Sequence, residues 1–456
     1  MRKILVIGAG KSTAVLIAYF QNKAMAENLE ITVGDVSIEN AKSIVKDHPR
    51  SKALALDIFN TNDREQAIKH ADIVVSMLPA RFHIEVAKDC LRFGKSMVTA
   101  SYVSPEMQSL DEEVRKKGLV FMNEIGVDPG IDHMSAMQVI DGIQGKGGKV
   151  LLFESFTGGL VAPESDTNLW NYKFTWNPRN VVLAGQGGAA EFLQEGTRKY
   201  IPYHKLFRRT EFLEIDGFGR FEAYANRNSL KYKNIYGLDD ISTLYRGTMR
   251  RVGFSRAWNI FVQLGMTDDS YTMYNTQEMS YRDFTNSFLA YSPSYSVELK
   301  LRHYLKLDQD DIVWDKLEAL DLFNPYKKVG LKNATPAQIL QKILMDDWSL
   351  EDGDKDMIVM YHKFGYELDG QKKQIDATMV AVGKDQTHTA MAKTVGLPVA
   401  IATLRILNTQ ITKPGVQLPI EKEIYEPILN ELKAYDIVFN EKEVPYMGYN
   451  PDGVKG

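Results

Sequence analysis

The sequence has very little cysteine, no long apolar run and no excess of one charge. Cys90 is its only cysteine among 456 residues, so neither an internal disulfide nor a cysteine-based metal site can form. We see no stretch that approaches the length of a membrane span, and the short apolar run at residues 3–7 enters a glycine loop, which a signal peptide would not do. The formal net charge is −4, which favours neither nucleic acid nor an anionic membrane as a partner. We therefore expect a cytoplasmic protein.

The histidines do not form a metal-binding pattern. His83, His204 and His362 are isolated in the sequence, and His133 has no second histidine or acid at ligand spacing after it. We interpret His133 as an ordinary helix residue and predict no metal site. Cys90 lies in a helix-like segment and is interpreted as small filler of the core or surface.

The amino-terminal residues have the order strand, glycine turn, helix. Residues 3–7 are an apolar β-type run, and residues 14–21 have a helical pattern. This order is typical of a dinucleotide-binding loop, in which the first glycine permits the tight turn and the second lets the backbone approach a pyrophosphate. Since the third fingerprint position is Thr13 and not glycine, the fingerprint is incomplete. The predicted cofactor contacts in this loop are Gly8, Gly10, Lys11, Ser12 and Thr13.

A second predicted strand ends in Asp35, where an acid would bind the ribose hydroxyls of NAD. The alternative is that Asp35 only caps a turn. A carboxylate at this place would repel a 2′-phosphate, and no arginine follows it directly. The sequence therefore favours NAD over NADP, with NADP left open.

Further strands place small and polar residues at one edge of the predicted sheet, because ligands bind beyond the carboxyl ends of parallel strands. The third strand ends near the adenine, and the sixth enters the stretch "NEIGVDPGIDH" at residues 123–133. The ends of the fourth and fifth strands are expected on the same edge as this stretch. Glu124 and Asp128 would lie near the nicotinamide, and Asp132 is predicted to cap the following helix. The other candidate cofactor contacts at this edge are Asp57, Ile58, Ser76, Met77, Leu78 and Val127.

These patterns predict an α/β protein with two parts. A Rossmann-type doubly wound parallel sheet is expected over 1–127, joined by 388–456, which contains an amphipathic helix interrupted at residues 396–398. Alternating apolar and polar strands predict an α+β domain with an open antiparallel sheet over 128–255 and 353–387. Residues 256–352 carry few β signals and are predicted to be a helical insert.

Eight motifs in register carry a resemblance to a known family. They are "TASYVSPEM", "NEIGVDPGIDH", "FTGGLVAPE", "YKFTW", "AYANRNS", "YRGTMR", "YHKF" and "AMAKTVGLPVAIA". Together they resemble the saccharopine dehydrogenases of the L-glutamate-forming type, also called saccharopine reductases, over nearly the whole chain. No lysine–ketoglutarate reductase module precedes them, so we expect the separate enzyme and not the fused, lysine-degrading form.

The resemblance implies an oxidoreductase of lysine metabolism. Saccharopine, NAD(P)⁺ and water would give L-glutamate, 2-aminoadipate 6-semialdehyde and NAD(P)H, reversibly. The resemblance also implies a homodimer, with the second domain binding substrate and forming the dimer. Among site residues it implies saccharopine contacts at Ser101, Tyr102 and Asp128. It further implies a carboxylate clamp formed by Arg227, Thr248, Met249 and Arg250.

We assign the catalytic roles to Asp128, as charged partner or proton carrier of the substrate amine, and to Tyr102, which would orient the water. One departure is Thr157, where the family often has cysteine. A thiol-dependent step is therefore not expected. The alternative for Arg227 is a surface salt bridge.

Three other functions stay open at this point. Two are sister enzymes of the same fold, lysine 6-dehydrogenase and carboxynorspermidine dehydrogenase, which would not need a clamp for three carboxylates. The third is a nucleotide-sensing protein without catalysis, which would have no use for the acid, the tyrosine and the arginine.

Overall fold

The computed structural model describes residues 1–308 and 310–449, and the backbone of 454–455. The chain divides into two compact units, residues 1–149 with 379–441 and residues 150–378 with 442–456. This division differs from the predicted boundaries in three places, one of which is that residues 379–387 belong to the first unit. Residues 128–149 belong to the first unit, where helix 131–144 packs against helix 422–432, and the last residues belong to the second.

The elements of residues 1–149 alternate between strands and helices. They are β1 (Arg2–Ile7), α1 (Ala14–Lys23), β2 (Leu29–Asp35), α2 (Ile38–Val45), β3 (Ser51–Ala55), α3 (Thr61–Lys69), β4 (Ile73–Ser76), α4 (His83–Phe93), β5 (Ser96–Val98), α5 (Pro105–Gln108), α6 (Asp111–Lys116), β6 (Val120–Met122) and α7 (Ile131–Gln144).

The middle of the chain begins with strands and continues with helices. Its elements are β7 (Lys149–Val161), α8 (Pro178–Val182), β8 (Ala190–Gln194), β9 (Thr197–Ile201), α9 (Tyr203–Leu206), β10 (Thr210–Ile215), β11 (Gly219–Ala225), β12 (Thr243–Arg251), α10 (Phe254–Leu264), β13 (Met273–Tyr274), α11 (Tyr281–Asn286), α12 (Val297–Leu305), α13 (Ile312–Ala319), β14 (Asn333–Ala334) and α14 (Pro336–Trp348).

The remaining elements complete both units. They are β15 (Asp356–Leu368), β16 (Gln371–Val382), α15 (Ala390–Leu407), β17 (Gly415–Gln417), α16 (Lys422–Leu432), β18 (Asn440–Val444) and β19 (Val454–Lys455).

The first unit contains the predicted Rossmann-type sheet. Its seven strands are all parallel and have the order β17-β6-β5-β4-β1-β2-β3. From β1 the chain first adds strands on one side of the sheet, β2 and β3, and then continues on the other side with β4. Residues 4–7 and 73–76 of the two central strands are buried, as expected for a sheet covered on both faces. The six amino-terminal strands were predicted, whereas β17 was not, because its sequence Gly-Val-Gln has only one apolar side chain and forms no apolar run.

Helix α15 corrects two expectations. It runs without interruption through Pro398, and Gly396 lets it approach α1, since a Cβ there would lie 3.0 Å from the Leu16 nitrogen. With 18 residues and a mean hydropathy of 1.5 it is also long and apolar enough to cross a membrane, contrary to our reading of the sequence. However, 72% of that stretch is buried, so α15 is a core helix.

The second unit is built on a mixed sheet. Its ten strands follow the order β18-β16-β15-β7-β12-β11-β10-β19, with β8 and β9 attached beside β12. The predicted antiparallel sheet is therefore only partly correct: β10, β11 and β12 are antiparallel neighbours, but β12 pairs with β7 in parallel. The predicted helical insert corresponds to α10–α14, and α14 begins at a capping box between Thr335 and Gln338.

Candidate active site

The glycine loop follows β1 as predicted and leads into α1. Gly8 has φ +107°, and a Cβ on it would lie 2.8 Å from the Met77 carbonyl oxygen, so only glycine fits between β1 and β4. A Cβ on Gly10 would meet nothing within 4 Å, which leaves open space before the helix. Lys11 is exposed, while Thr13 is buried and bonds back to the Gly10 carbonyl. The loop thus offers the helix N-terminus to an anion.

Asp35 closes β2 beside this loop. One carboxylate oxygen accepts the Ala9 N–H at 2.7 Å, and the other accepts the Ser37 N–H at 2.9 Å. Asp35 does cap a turn, as in the alternative interpretation, but it also holds the glycine loop. These two backbone donors therefore hold the Asp35 carboxylate at the carboxyl end of β2.

The predicted adenine side lies after β3, which ends two residues earlier than expected. Asp57 is exposed and accepts the Phe59 N–H at 2.9 Å, whereas Ile58 is buried. Phe59 is 72% exposed and packs edge-on against Phe82 at 5.2 Å between ring centroids. An exposed aromatic ring at this edge is suited to contact a base.

The end of β4 is only partly accessible. Met77 and Leu78 are half-buried, but Ser76 is completely buried. Its hydroxyl lies 2.8 Å from Nδ1 of His83, whose Nε2 lies 2.7 Å from the Ser101 hydroxyl. The Ser76 side chain therefore faces His83 and does not line the sheet edge.

Tyr102 and Asp128 meet at the carboxyl edge of β5 and β6. The Tyr102 hydroxyl donates to the Asp128 carboxylate at 3.1 Å. Tyr102 is 48% exposed and Asp128 is half-buried, while Val127 beside it is buried. These two residues form an accessible acid–phenol pair, which can bind a cationic amine or move a proton.

Backbone packing and hydrogen bonds within residues 123–133 hold this pair in position. Gly130 must be glycine, because its φ is +145° and a Cβ would lie 2.2 Å from the Gly126 backbone. The buried Glu124 accepts the Val103 N–H at 2.9 Å and contacts His133 Nε2 at 3.0 Å. It thereby ties the segment after Tyr102 to α7.

The prediction that Asp132 is the N-cap of α7 is wrong. The helix begins at Ile131, and the Asp132 carboxylate accepts the Gly130 N–H at 2.6 Å from inside the first turn. His133 is a buried helix residue with hydrogen-bond partners, as predicted. Within the described part of the chain, no group of three or more histidines, cysteines or acids is arranged to hold a metal ion.

In the second unit, Arg227 lies after β11 and is exposed. Its Nη1 would be 3.2 Å from a Cβ on Gly187, so it lies close to the loop before β8. No carboxylate among the described residues lies within ion-pair distance of it, in contrast to the neighbouring pair of Arg198 and Glu191 at 2.7 Å. The alternative of a surface salt bridge therefore has no partner in the described structure.

The other predicted clamp residues have different surroundings. Thr248 is half-buried and donates to the Asn226 side chain at 2.8 Å. Met249 is completely buried, so its side chain packs in the core. Arg250 is 3% exposed, donates to the Met249 carbonyl and lies 5.0 Å from the Tyr172 ring centroid.

Thr157 pairs with Thr248 across the parallel strands β7 and β12. It is buried, and its hydroxyl has no hydrogen-bond partner among the residues that the structure describes. Cys90 is buried in α4, where desolvation raises the pKa of its thiol. The chain therefore has no reactive thiol near either set of residues.

One site residue was missed from the sequence, and another was placed differently. His83 was considered isolated, but α4 starts there and carries its ring between the ends of β4 and β5. Glu124 was expected beside the nicotinamide together with Asp128, but it is buried and contacts Val103 and His133. The serines at the ends of β4 and β5 were the available hint for His83, since adjacent strand ends bring their side chains together.

Comparison with known families gives two matches that together span most of the chain. The family model described as "Saccharopine dehydrogenase NADP binding domain" matches residues 4–122, and "Saccharopine dehydrogenase C-terminal domain" matches residues 126–438.

Two curated relatives are similar over almost the whole chain. The chain is 32% identical to "Saccharopine dehydrogenase [NADP(+), L-glutamate-forming]" of Saccharomyces cerevisiae, over 97% of this chain and 99% of that one. It is 33% identical to the mitochondrial alpha-aminoadipic semialdehyde synthase of Rattus norvegicus, over 96% of this chain but 47% of that protein.

Solved structures agree with these matches. The apo saccharopine dehydrogenase (L-Glu forming) of Saccharomyces cerevisiae superposes with a TM-score of 0.87 at 32% identity, over 97% of this chain and 100% of that one. A homospermidine synthase of Legionella pneumophila in complex with NAD shares the fold, with a TM-score of 0.55 at 10% identity over 98% of this chain and 92% of that one.

Proposed function

The chain belongs to the saccharopine dehydrogenase family, and we propose that it catalyses the L-glutamate-forming reaction of lysine metabolism. In this reaction saccharopine, NAD(P)⁺ and water give L-glutamate, 2-aminoadipate 6-semialdehyde and NAD(P)H. The full-length likeness to the yeast enzyme, at 32% identity, supports the proposal most strongly. The accessible pair of Tyr102 and Asp128 at the sheet edge gives it a chemical basis.

The first unit contains an NAD(P)-binding domain, and its glycine loop fits a pyrophosphate. The open space at Gly10 and the N-terminus of α1 supply room and backbone donors for the anion. We propose that Gly8, Gly10, Lys11, Ser12 and Thr13 hold the pyrophosphate. At the sheet edge we propose contacts from Asp35, Asp57, Ile58, Met77, Leu78 and Val127, and from the backbone of Ser76. When bound, the nicotinamide cofactor accepts a hydride from the substrate carbon next to the amine.

We propose that the carboxylate of Asp128 binds the secondary amine of saccharopine and carries its proton. Loss of hydride from the substrate leaves an imine, which water hydrolyses to the aldehyde and L-glutamate. Tyr102 shares a hydrogen bond with Asp128 and can orient that water. Ser101 completes the proposed substrate contacts in the first unit.

The second unit supplies cations for the substrate carboxylates. Arg227 is exposed and has no acid beside it among the described residues, so its guanidinium is available for a bidentate contact. Thr248 and Arg250 join it in the proposed clamp. Since Met249 is buried, we propose that it supports the strand and that its side chain does not touch saccharopine.

We propose that the enzyme prefers NAD, although the yeast relative is named for NADP(+). Two backbone N–H groups fix the Asp35 carboxylate, and a negative charge there would repel a 2′-phosphate. Exchanging Asp35 for serine should lower the ratio of kcat/KM with NAD⁺ to that with NADP⁺ by roughly tenfold, a charge contact of about 1.4 kcal/mol. A wild-type enzyme that already prefers NADP⁺ would contradict this preference without affecting the reaction.

We further propose a cytoplasmic homodimer. The dimer is testable by light scattering on the purified protein, where the mass of one chain, 51.6 kDa, should be doubled. A mass of one chain would refute it.

The decisive assay follows NADH or NADPH absorbance with saccharopine as substrate and lysine as the control amine. Reduction of the cofactor with saccharopine and not with lysine is the expected result. Turnover of lysine or carboxynorspermidine in place of saccharopine would assign the chain to a sister activity. Cofactor binding without turnover of any amine would instead favour a nucleotide sensor.

A further inference from the structure

The ring of His83 joins the carboxyl ends of two neighbouring strands. The Ser76 hydroxyl, at the end of β4, lies 2.8 Å from Nδ1, and the Ser101 hydroxyl, after β5, lies 2.7 Å from Nε2. The Thr99 hydroxyl is farther from Nε2, at 3.4 Å, and accepts the Ser101 N–H at 3.3 Å. His83 is 4% exposed, and Ser76 is completely buried.

These contacts determine which ring nitrogen carries the proton. Desolvation lowers the pKa of His83 to about 4, so at neutral pH the ring has one N–H donor and one acceptor nitrogen. In the described structure, the Ser76 hydroxyl has no hydrogen-bond acceptor except His83 Nδ1. Since a buried hydroxyl proton needs an acceptor, Ser76 donates to Nδ1 and the ring proton is on Nε2. In the opposite tautomer, with the proton on Nδ1, the bare Nε2 would gain the longer contact with the Thr99 hydroxyl at 3.4 Å, but the Ser76 proton would have no acceptor in the described structure.

The ring therefore controls the hydroxyl of Ser101. With its proton on Nε2, His83 donates to the Ser101 oxygen, which leaves the Ser101 proton for another acceptor. Ser101 is half-buried, so a ligand can reach it. We propose that His83 is a positioning residue that fixes Ser101 as a hydrogen-bond donor to a carboxylate of the substrate. The identity of that substrate rests on the proposed function.

The kinetic test uses four variants of the full-length enzyme: His83→Leu, His83→Gln, Ser101→Ala and the double variant His83→Leu/Ser101→Ala. We expect His83→Leu to raise the KM for saccharopine by roughly tenfold to a hundredfold with a smaller change in kcat, as for loss of one hydrogen bond to a charged group. His83→Gln should recover part of this loss, because its amide can still donate to Ser101. In the Ser101→Ala background the leucine substitution should have no further effect on KM.

The matched control is His48→Leu. His48 also contacts a serine, Ser51 at 3.2 Å, but this pair lies at the amino end of β3, on the opposite edge of the sheet. Its KM for saccharopine should equal that of the wild type. If the effects of His83→Leu and Ser101→Ala multiply in the double variant, His83 does not act through Ser101 and the proposal is refuted.

A second measurement is independent of substrate and of kinetics. Nitrogen-15 spectra of the wild type with labelled histidine, with His83→Gln to assign the signal, distinguish a protonated ring nitrogen from an unprotonated one. We expect a neutral ring with protonated Nε2 and bare Nδ1, and a proton on Nδ1 would overturn the proposal. Since this readout needs no turnover, the proposal can survive or fail even if saccharopine proves not to be the substrate.

Discussion

The site residues of the two units differ in how their polar groups are satisfied. In the first unit they bond to one another: Asp35 holds the glycine loop, His83 links two serines, and Tyr102 donates to Asp128. In the second unit Arg227 has no acid at ion-pair distance among the described residues, and the buried Thr157 hydroxyl has no partner there.

Under the proposed function, the two sets of residues have different roles. Groups that transfer a proton must keep one protonation state and one orientation, and in the first unit neighbouring hydrogen-bond partners fix both. A cation that must bind an anion is better left without an internal carboxylate, because an internal ion pair would compete with the substrate. Loss of the Asp128 carboxylate should therefore lower kcat, whereas loss of the Arg227 guanidinium should raise KM.

The largest effect is expected for Asp128→Ala. Loss of the carboxylate removes the proposed partner of the substrate amine and should lower kcat by about 10²–10⁴-fold, the usual contribution of general acid–base catalysis. Steady-state kinetics with saccharopine measure it. Tyr102→Phe, which keeps the ring and the acid, serves as control and should lose less. Unchanged turnover in Asp128→Ala would remove the acid from the mechanism.

A smaller effect concerns acid stability and the buried ring of His83. Its pKa is about 4 in the folded protein and near 6.5 when unfolded, so between these values the unfolded chain binds a proton that the native state does not. The native state therefore loses stability as the pH falls through this window, by up to about 3 kcal/mol from this group.

The measurement compares wild type with His83→Gln in denaturant unfolding at pH 7 and near pH 4. The free energy of unfolding of the wild type should fall more over this interval, because glutamine does not titrate. Parallel curves for the two proteins would show that His83 is protonated in the native state as readily as in the unfolded chain.

The smallest of these effects is expected for Arg227→Ala, which should raise the KM for saccharopine roughly tenfold or more with little change in kcat. Arg198→Ala is the matched control, since Arg198 is exposed in the same unit but is paired with Glu191. It should leave KM unchanged. A normal KM in Arg227→Ala would place the clamp elsewhere, and a loss in kcat alone would erase the contrast between the units.

The sequence predicted the parts of the fold that have local signals. Apolar runs followed by glycine or polar residues identified β1–β6, and Gly8 with Gly10 identified the loop. The predicted break in α15 at Pro398 was wrong, because burial of residues 396–404 in the core keeps the helix intact despite the helix-breaking tendency of proline. The strand β17 was missed, since its three residues are ordered by pairing with β6.

Within the candidate site, residue type determined what chemistry is available, and tertiary structure determined which groups can use it. From the sequence alone we could identify the glycine loop, Asp128 and Arg227 as candidates, because local backbone geometry and charge depend on the residues themselves. Only the folded chain decided that Met249 is buried, that Arg227 lacks an acid in the described structure and that His83 lies between two serines. Burial and hydrogen-bond partners depend on residues distant in sequence, which meet only when adjacent strands bring their ends together.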